Sequence, residues 1–191
     1  MTIPLTTPRL TLRRWRPSDR DPFRALNADP RVMEHFPAPL TPEESDALIT
    51  RIERHFETHG FGVFATELTR TGTFIGYIGL NIPPFEAPFM PAVEIGWRLS
   101  SDHWNQGLAT EGARAVVRYA FETLKLPGLI SFTVPVNLRS RRVMEKLGMV
   151  HHPSGDFDHP NLPDGHSLRR HVLYRIAAKT ASAIAAASAA G

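Results

Sequence analysis

The sequence predicts an α/β fold of the α+β kind, with helices flanking a mixed and mostly antiparallel central sheet. Apolar and polar residues alternate near the N-terminus, and two β-rich runs separated by a glycine-containing turn follow, which is typical of antiparallel strands. Further along, residues 93–147 have the pattern strand, helix, strand, helix. That order predicts a βαβ crossover, which joins two parallel strands.

Length and composition define the class of protein. The 191 residues are 42% hydrophobic and 21% charged, a balance that excludes disordered, collagen-like and coiled-coil chains. We expect one domain over residues 1–177, followed by an alanine-rich tail, residues 178–191, that is a frayed helix or disordered. Because the chain has no cysteine, disulfides, thiolate metal sites and thiol nucleophiles are excluded.

Charge and hydropathy narrow the choice of partners. The formal net charge is only +3, so the composition does not predict DNA binding. No apolar run is long enough to cross a bilayer, and nothing indicates an oxidising compartment. We therefore expect a cytoplasmic protein that does not bind membranes; the sequence does not decide between a monomer and a homodimer.

Local signals predict the elements of the N-terminal half. Residues 9–15 alternate as a half-buried strand does, and a short helix follows. The segment Thr-Pro-Glu-Glu at 41–44 is a capping box with proline at the first helical position, so a helix begins there and ends at Gly60. Two strands joined by a turn that contains Gly72 complete this half: residues 61–68 and 74–81.

The C-terminal half contains the predicted crossover. The proline-rich residues 83–91 cannot form a regular strand ladder and are expected to be a loop. Residues 151–166, rich in Pro, Asp and Gly, are also expected to be a loop. The elements predicted around these loops are a strand at 93–99, a helix at 108–124, a strand at 129–134, a helix at 138–147 and a strand at 171–176.

The connection between the strand at 93–99 and the next helix has features of a ligand-binding turn. Gly107 and Ala109 are small enough for the backbone to approach a ligand closely. The helix N-terminus offers unpaired N–H groups and the positive end of the helix dipole, which suits a phosphate or pyrophosphate. The alternative is that Gly107 only makes a tight turn.

Gly96 points to the same kind of ligand. Inside a strand, glycine often marks a bulge, and a bulge here would splay the parallel pair. Splayed strands expose backbone N–H and C=O groups to a ligand that itself contains amides. Coenzyme A combines a pyrophosphate with amides and would satisfy both features.

The chain resembles the GNAT superfamily of N-acetyltransferases, and most closely its RimJ/RimL-like group, which acetylates the N-termini of ribosomal proteins. The resemblance covers nearly the whole chain, through TPRLTLRRW, EIGWRL, WNQGLATEG, NLRSRRVMEKLGM and RRHVLYRI. In the family's pyrophosphate signature, Gln or Arg is followed by two residues, Gly, any residue, and Gly or Ala. Gly107 and Ala109 fit this signature, whereas Trp104 occupies its first position.

The resemblance implies a GNAT fold and an acetyl-CoA-dependent N-acetyltransferase without a metal. The acetyl group would pass to a primary amine, on a protein N-terminus or a small molecule, by direct attack in a ternary complex. The residues implied to bind acetyl-CoA lie on the strand and on the turn after it: Ile95, Trp97, Leu99, Asn105, Gln106, Gly107, Leu108, Ala109 and Thr110.

A second signature, Asn-x-x-Ser, begins the helix at 138–147. By resemblance, Asn137 binds the pantetheine arm and Ser140 lies near the thioester sulfur, with a catalytic role. The residues alone also allow Asn137 to be an ordinary helix N-cap and Ser140 to bond locally. Met144 stands where many relatives have a Tyr that protonates the departing thiolate, so the general acid is not assigned.

The acceptor amine must be neutral to attack. An α-amine has a pKa of about 8 and a lysine amine of about 10.4, so an α-amine needs less help from a base. Glu94, on the strand beside the expected thioester, is the candidate base, and the alternative is a solvent-facing Glu. The candidates for binding the acceptor are Glu34, His35, Phe36 and Phe85.

Two other functions remain open at this stage. The Met at position 144 leaves room for a non-catalytic acyl-CoA-binding module on the same scaffold. Arg13, Arg14 and Arg16, together with the arginines of residues 139–142, suggest an RNA-binding or ribosome-associated protein. The His/Asp-rich residues 151–166 lack a recognisable ligand spacing, so we expect a polar loop and no metal site there.

Overall fold

The computed structural model describes residues 4–178, so the predicted tail lies outside the described residues apart from Ala178. Within this range the chain forms nine strands and four α-helices. In chain order these are β1 (Leu5–Thr6), β2 (Leu10–Arg13), α1 (Arg20–Ala28), α2 (Pro42–His59), β3 (Val63–Leu68), β4 (Phe74–Asn81), β5 (Glu94–Leu99), α3 (Leu108–Arg118), β6 (Gly128–Thr133), α4 (Leu138–Lys146), β7 (Val150–His151), β8 (Phe157–Asp158) and β9 (Arg170–Ala177).

The fold class predicted from the sequence is confirmed. The strands pair mostly antiparallel, in the order β1-β2-β3-β4 and in β6-β9-β7, with β8 also on β9. The exception is the parallel pair β5–β6, in which Glu94 lies opposite Ile130. Helices flank the strands, as expected for a GNAT fold; the predicted splay at Gly96 stays a prediction.

The loop prediction for residues 151–166 was too simple. Here β7 and β8 each pair with β9, so His151 lies opposite Tyr174 and Phe157 opposite His171. Each of these strands has only two residues, which is too short for a periodic sequence pattern. Long-range pairing with β9 creates them, and a local reading of the chain had no signal for it.

The described residues divide into two compact units. The first contains residues 4–81 and 96–116, and the second contains residues 82–95 and 117–178. The chain passes from the second unit to the first between Ile95 and Gly96, inside β5. That residues 1–177 act as one domain stays a prediction.

In the first unit, glycine packing sets the position of α3. A Cβ atom at Gly112 would overlap Ile78 of β4 and approach Leu10 of β2 to 3.2 Å. Leu10 and Ile78 are both fully buried. Glycine at this position therefore lets α3 lie close against β2 and β4, which fixes where its first turn begins.

In the second unit, β6 and β9 form the longest antiparallel ladder, and α4 packs beside β6. The helix buries Met144, which is 1% exposed, and is followed by the buried Leu147. Asn137 forms its N-cap by accepting a hydrogen bond from the backbone N–H of Ser140. The predicted bounds of this helix are therefore confirmed to within one residue.

Candidate active site

The segment that leads into α3 and includes its first three residues, residues 104–110 (the phosphate turn), has the backbone shape expected for a close approach to a ligand. Gly107 has a φ of 76° and Asn105 a φ of 58°, both in the left-handed region. The nearest atom to a Cβ placed on Gly107 would be an Arg9 guanidinium nitrogen, 3.6 Å away. Trp104, which departs from the family signature, donates its indole N–H to the Leu99 carbonyl at 2.9 Å and so braces the turn.

The backbone of the phosphate turn is available for an anion, whereas several of its side chains are buried or bonded within the protein. Leu108 and Thr110 are buried, and the Gln106 amide donates back to the Asp102 carbonyl at 3.1 Å. The first bond of α3 runs from the Glu111 N–H to the Gly107 carbonyl, so the N–H groups before it have no partner within the helix. These residues fit a pyrophosphate bound by backbone amides at a helix N-terminus.

Arg9 lies beside the phosphate turn and was missed by the sequence analysis. It donates to the Gln106 carbonyl at 2.9 Å and to the Glu111 carboxylate at 2.6 Å. Glu111 also accepts hydrogen bonds from the Thr7 hydroxyl at 2.6 Å and from the Arg9 backbone N–H at 2.9 Å. Arg9 is about a hundred residues away in the chain, so no local signal could have found it.

The contacts with Thr7 and Arg9 stabilise the negative charge of Glu111. Burial by itself raises the pKa of Glu111, but the hydrogen bonds from Thr7 and Arg9 together outweigh it and hold the pKa below its usual value. The carboxylate is therefore ionised and is bonded to Thr7 and Arg9. The Arg9 guanidinium therefore lies at the edge of the phosphate turn, and the negative charge of Glu111 is paired with it.

Glu94 at the start of β5 has the most unusual electrostatics of the predicted site residues. The residue is half-buried, and desolvation raises the pKa of its carboxyl to about 8. Among residues 4–178 its side chain makes no hydrogen bond or ion pair that would stabilise the charged form. A carboxyl that ionises near pH 8 titrates in the same range as an α-amine, for which the pKa is about 8.

Near α4, the local interpretation of Asn137 is confirmed. Its side-chain oxygen accepts from the Ser140 N–H at 3.2 Å, and its amide donates to the Thr133 hydroxyl at 2.9 Å. The contacts of Asn137 and Ser140 with acetyl-CoA stay predictions. Met144 carries no ionisable proton and is buried, so the position that is Tyr in many relatives supplies no acid here.

On the strand, Ile95 and Leu99 are buried and Trp97 is half-buried, so the cofactor contacts predicted for them would come from backbone groups. One of those groups, the Leu99 carbonyl, is already engaged by Trp104. The remaining contacts of this strand with acetyl-CoA stay predictions.

The four residues predicted to bind the acceptor belong to different units. Glu34, His35 and Phe36 lie in the first unit, where Phe36 covers the guanidinium of the buried Arg98 at 4.0 Å from its ring centre. Phe85 lies in the second unit, among other aromatic rings. Their role in binding an acceptor stays a prediction.

Two further observations concern metals and membranes. Across residues 4–178, His, Cys, Asp and Glu side chains form no group of three or more that would hold a metal ion. His151 instead bonds Asp156 at 2.9 Å.

In the same part of the chain, no helix has the length and apolar character needed to cross a bilayer.

Of the arginines that suggested RNA binding, the three near the N-terminus are paired with carboxylates, whereas Arg141 bonds the Tyr174 hydroxyl and the Pro135 carbonyl. Arg13 is buried and bonds both Asp19 and Glu67, at 2.7 and 2.6 Å. Arg14 bonds Glu53, and Arg16 lies 3.5 Å from Glu67. Positive charge that is neutralised in this way contributes little to binding of a phosphate backbone.

Comparison with known proteins places the chain in a family. Residues 9–150 match the model of the acetyltransferase (GNAT) domain. The FsC-acetyl coenzyme A-N(2)-transacetylase of Aspergillus fumigatus is 37% identical over 133 residues, which are 66% of this chain and 56% of the fungal protein. The chain thus spans little more than half the length of that relative.

Solved structures agree with this match. The acetyltransferase from Agrobacterium tumefaciens str. C58 superposes with a TM-score of 0.75 at 31% identity, covering 92% of this chain and 95% of the other. The ribosomal-protein-S5-alanine acetyltransferase from Vibrio fischeri has a TM-score of 0.72 at 16% identity over 92% of this chain and 97% of its own, a likeness of fold alone. The chain therefore belongs to the GNAT family of acetyltransferases.

Proposed function

We propose that the protein transfers the acetyl group of acetyl-CoA to a primary amine, with Glu94 as the general base. The observation that carries this proposal is the Glu94 carboxyl, for which burial raises the pKa to about 8. A base is most effective when its pKa lies near the operating pH, and an ordinary Glu at about 4.3 would be far too weak.

Bound acetyl-CoA supplies the acetyl thioester, and the chain's own residues hold it. The backbone N–H groups of residues 105–110 would bind the pyrophosphate, a role supported by the left-handed Gly107 and by the adjacent Arg9 guanidinium. Backbone groups of Ile95, Trp97 and Leu99 would pair with the pantetheine amides. Asn137 would contact the same arm, since the residue is only half-buried.

Two side chains, Glu94 and Ser140, would handle the proton and the leaving thiolate. As the new C–N bond forms and the C–S bond breaks, ionised Glu94 takes a proton from the attacking amine and later releases it to water. A thiol has an ordinary pKa of about 8.5, so the thiolate leaves readily when a hydrogen bond stabilises it. The hydroxyl of Ser140, a half-buried residue, would supply that hydrogen bond and would allow the reaction to proceed with Met at position 144.

We further propose that the acceptor is an α-amine or a similar weakly basic amine, including a ribosomal or other protein N-terminus as in the RimJ/RimL-like group. The match between the pKa of Glu94, about 8, and that of an α-amine favours it over a lysine. The name of the Aspergillus relative, an acetyl coenzyme A-N(2)-transacetylase, supports a nitrogen as the acceptor of the acetyl group.

The first experiment measures acetyl-CoA binding by calorimetry and then amine-dependent release of free CoA. We expect binding, followed by release that needs an amine and that yields one acetylated amine per CoA. Binding with no release for any amine in a broad panel would favour the acyl-CoA-binding module. No binding by a folded sample would contradict the proposal altogether.

A further inference from the structure

Six aromatic rings meet in the second unit and form what we term the aromatic cluster. Its ring centres lie 4.7–6.4 Å from their neighbours, including 5.3 Å between Phe132 and Phe157 and 5.2 Å between the two histidines. Phe157 is buried, but the other rings are only half-buried, so the cluster reaches the surface. Its members come from the loop after β4, from β6, from β8 and its following turn, and from β9: Phe85, Phe89, Phe132, Phe157, His159 and His171.

Hydrogen bonds fix the tautomer of both histidines. His171 donates from Nδ1 to the Arg169 carbonyl at 3.0 Å, so its Nε2 carries a lone pair when the ring is neutral. His159 accepts at Nδ1 from the Asn161 N–H at 3.3 Å, so its Nε2 carries the hydrogen. Within the described residues neither Nε2 atom has a hydrogen-bond partner. Both atoms are accessible to solvent, since neither is among the buried polar atoms that lack a partner.

Burial lowers the pKa of both His159 and His171, so both rings are neutral at pH 7. A histidine in a closed core satisfies both nitrogens within the protein. Here the His159 Nε2–H donor and the His171 Nε2 acceptor are left without a partner in the described residues, beside the four phenylalanine rings of the cluster. The cluster therefore has the composition of a ligand pocket, apolar with a few oriented polar groups.

The strand register places Glu94 on the same face of the sheet as the aromatic cluster. Glu94 lies opposite Ile130, and Phe132 is two residues further along β6, so the three side chains share a face. Phe132 lies opposite Leu173, and His171 is two residues from Leu173 on that face of β9. From strand spacings, the Phe132 Cα is about 8 Å from the Glu94 Cα.

The charges near the aromatic cluster disfavour a polycation. Residues 151–166 contribute three aspartates, and all three are paired. Asp156 accepts from His151 and from the Leu173 N–H at 3.0 Å. Asp158 pairs with Arg169 and Arg170, and Asp164 with Arg169. Among residues 151–166 a second ammonium group on a ligand would therefore find no unpaired aspartate. This missing countercharge disfavours a polycation, and the rings do not, since their faces attract cations.

We infer that the aromatic cluster binds the substituent of the acceptor amine, and that the enzyme selects primary amines carrying an aromatic or bulky apolar group over polyamines. The inference rests on the proposed function, because it takes Glu94 as the position of the reacting amine. An amine at Glu94 extends its substituent over Phe132, and a polar group at the far end reaches the histidines.

The test compares 2-phenylethylamine with spermidine at saturating acetyl-CoA, and uses two matched variants. We expect kcat/KM for 2-phenylethylamine to exceed that for spermidine by at least about tenfold. Phe132→Leu should lower kcat/KM for 2-phenylethylamine about tenfold and leave that for ethylamine and the KM for acetyl-CoA unchanged. Phe121→Leu, at a half-buried phenylalanine of the same unit outside the aromatic cluster, should change none of these.

Direct binding separates this inference from the proposed function. Calorimetry should show that 2-phenylethylamine binds the protein saturated with CoA, and that Phe132→Leu weakens this binding about tenfold. A preference for spermidine, or equal losses in Phe132→Leu and Phe121→Leu, would overturn the inference while the acetyltransferase activity stands. Failure of every amine to release CoA would remove both proposals.

Discussion

The phosphate turn and the aromatic cluster with Glu94 are built in opposite ways. The turn consists of seven consecutive residues, whose backbone geometry is set by Gly107 and to which Arg9 adds a contact from a distant part of the chain. The cluster with Glu94 draws on β5, β6, β8, β9 and two loops, and its properties arise from burial. A ligand shared by a whole family can be held by backbone, whereas a particular acceptor needs side chains from several elements.

The largest effect is expected at the turn. Gly107→Glu adds a negative charge where the pyrophosphate would bind and places a side chain at a φ of 76°, so affinity for CoA should fall at least a hundredfold. Calorimetry with CoA measures it. Gly72→Glu is the control, because Gly72 has a φ of 68° and open surroundings on a hairpin turn. Equal losses in both variants would mean that backbone strain alone is responsible.

On the acceptor side, Glu94→Gln should lower kcat about a hundredfold or more, as expected for the loss of a general base. Because burial raises the pKa of Glu94 to about 8, the ratio of wild-type to variant rates should rise with pH up to about 8 and then level off. Rates measured from pH 6 to 9.5 with one amine test this, since ionisation of the amine cancels in the ratio. A ratio independent of pH would argue against Glu94 as the base.

The same carboxyl predicts a pH-dependent stability. Below pH 4.5 Glu94 is protonated in the folded and unfolded states alike, whereas between pH 4.5 and 8 only the unfolded state has lost the proton. The free energy of unfolding therefore falls as pH rises through this window, by at most about 5 kcal/mol in total. Glu94→Gln should be more stable than the wild type at pH 9 and of similar stability at pH 4.

Urea unfolding at the two pH values measures this difference. The two proteins differ in a single titratable group, so all other groups that titrate contribute equally to both. A stability difference that is the same at pH 4 and pH 9 would show that the carboxyl is not desolvated.

The smallest effect is expected for Arg9→Met. Loss of the guanidinium beside the phosphate turn should weaken CoA binding severalfold and reduce its dependence on salt concentration. The free energy of unfolding should change by less than about 1 kcal/mol, because Arg9 is half exposed and its pair with Glu111 is screened. Titrations at 50 and 300 mM salt provide the measurement; unchanged affinity at both would remove Arg9 from the anion site.

The sequence analysis succeeded where structure is encoded locally. The capping box at Thr41, the left-handed Gly60 and the hairpin turn at Gly72 are all present, because each depends on a few adjacent residues. The short strands β7 and β8 were missed because their pairing with β9 is long-range. Of the residues now proposed to bind ligands, those of the turn around Gly107 were predicted from the sequence, while Arg9, His159 and His171 were not.

The sequence by itself determined the order of the elements, the parallel β5–β6 pair and the family of the chain, because periodicity, caps and signature segments are properties of neighbouring residues. Only the tertiary structure decided that Glu94 is half-buried without a charged or hydrogen-bonding partner, that Glu111 is bonded to Arg9, and that six distant rings meet. Burial and charge pairing depend on the distance between residues that are far apart in the chain, and folding sets that distance.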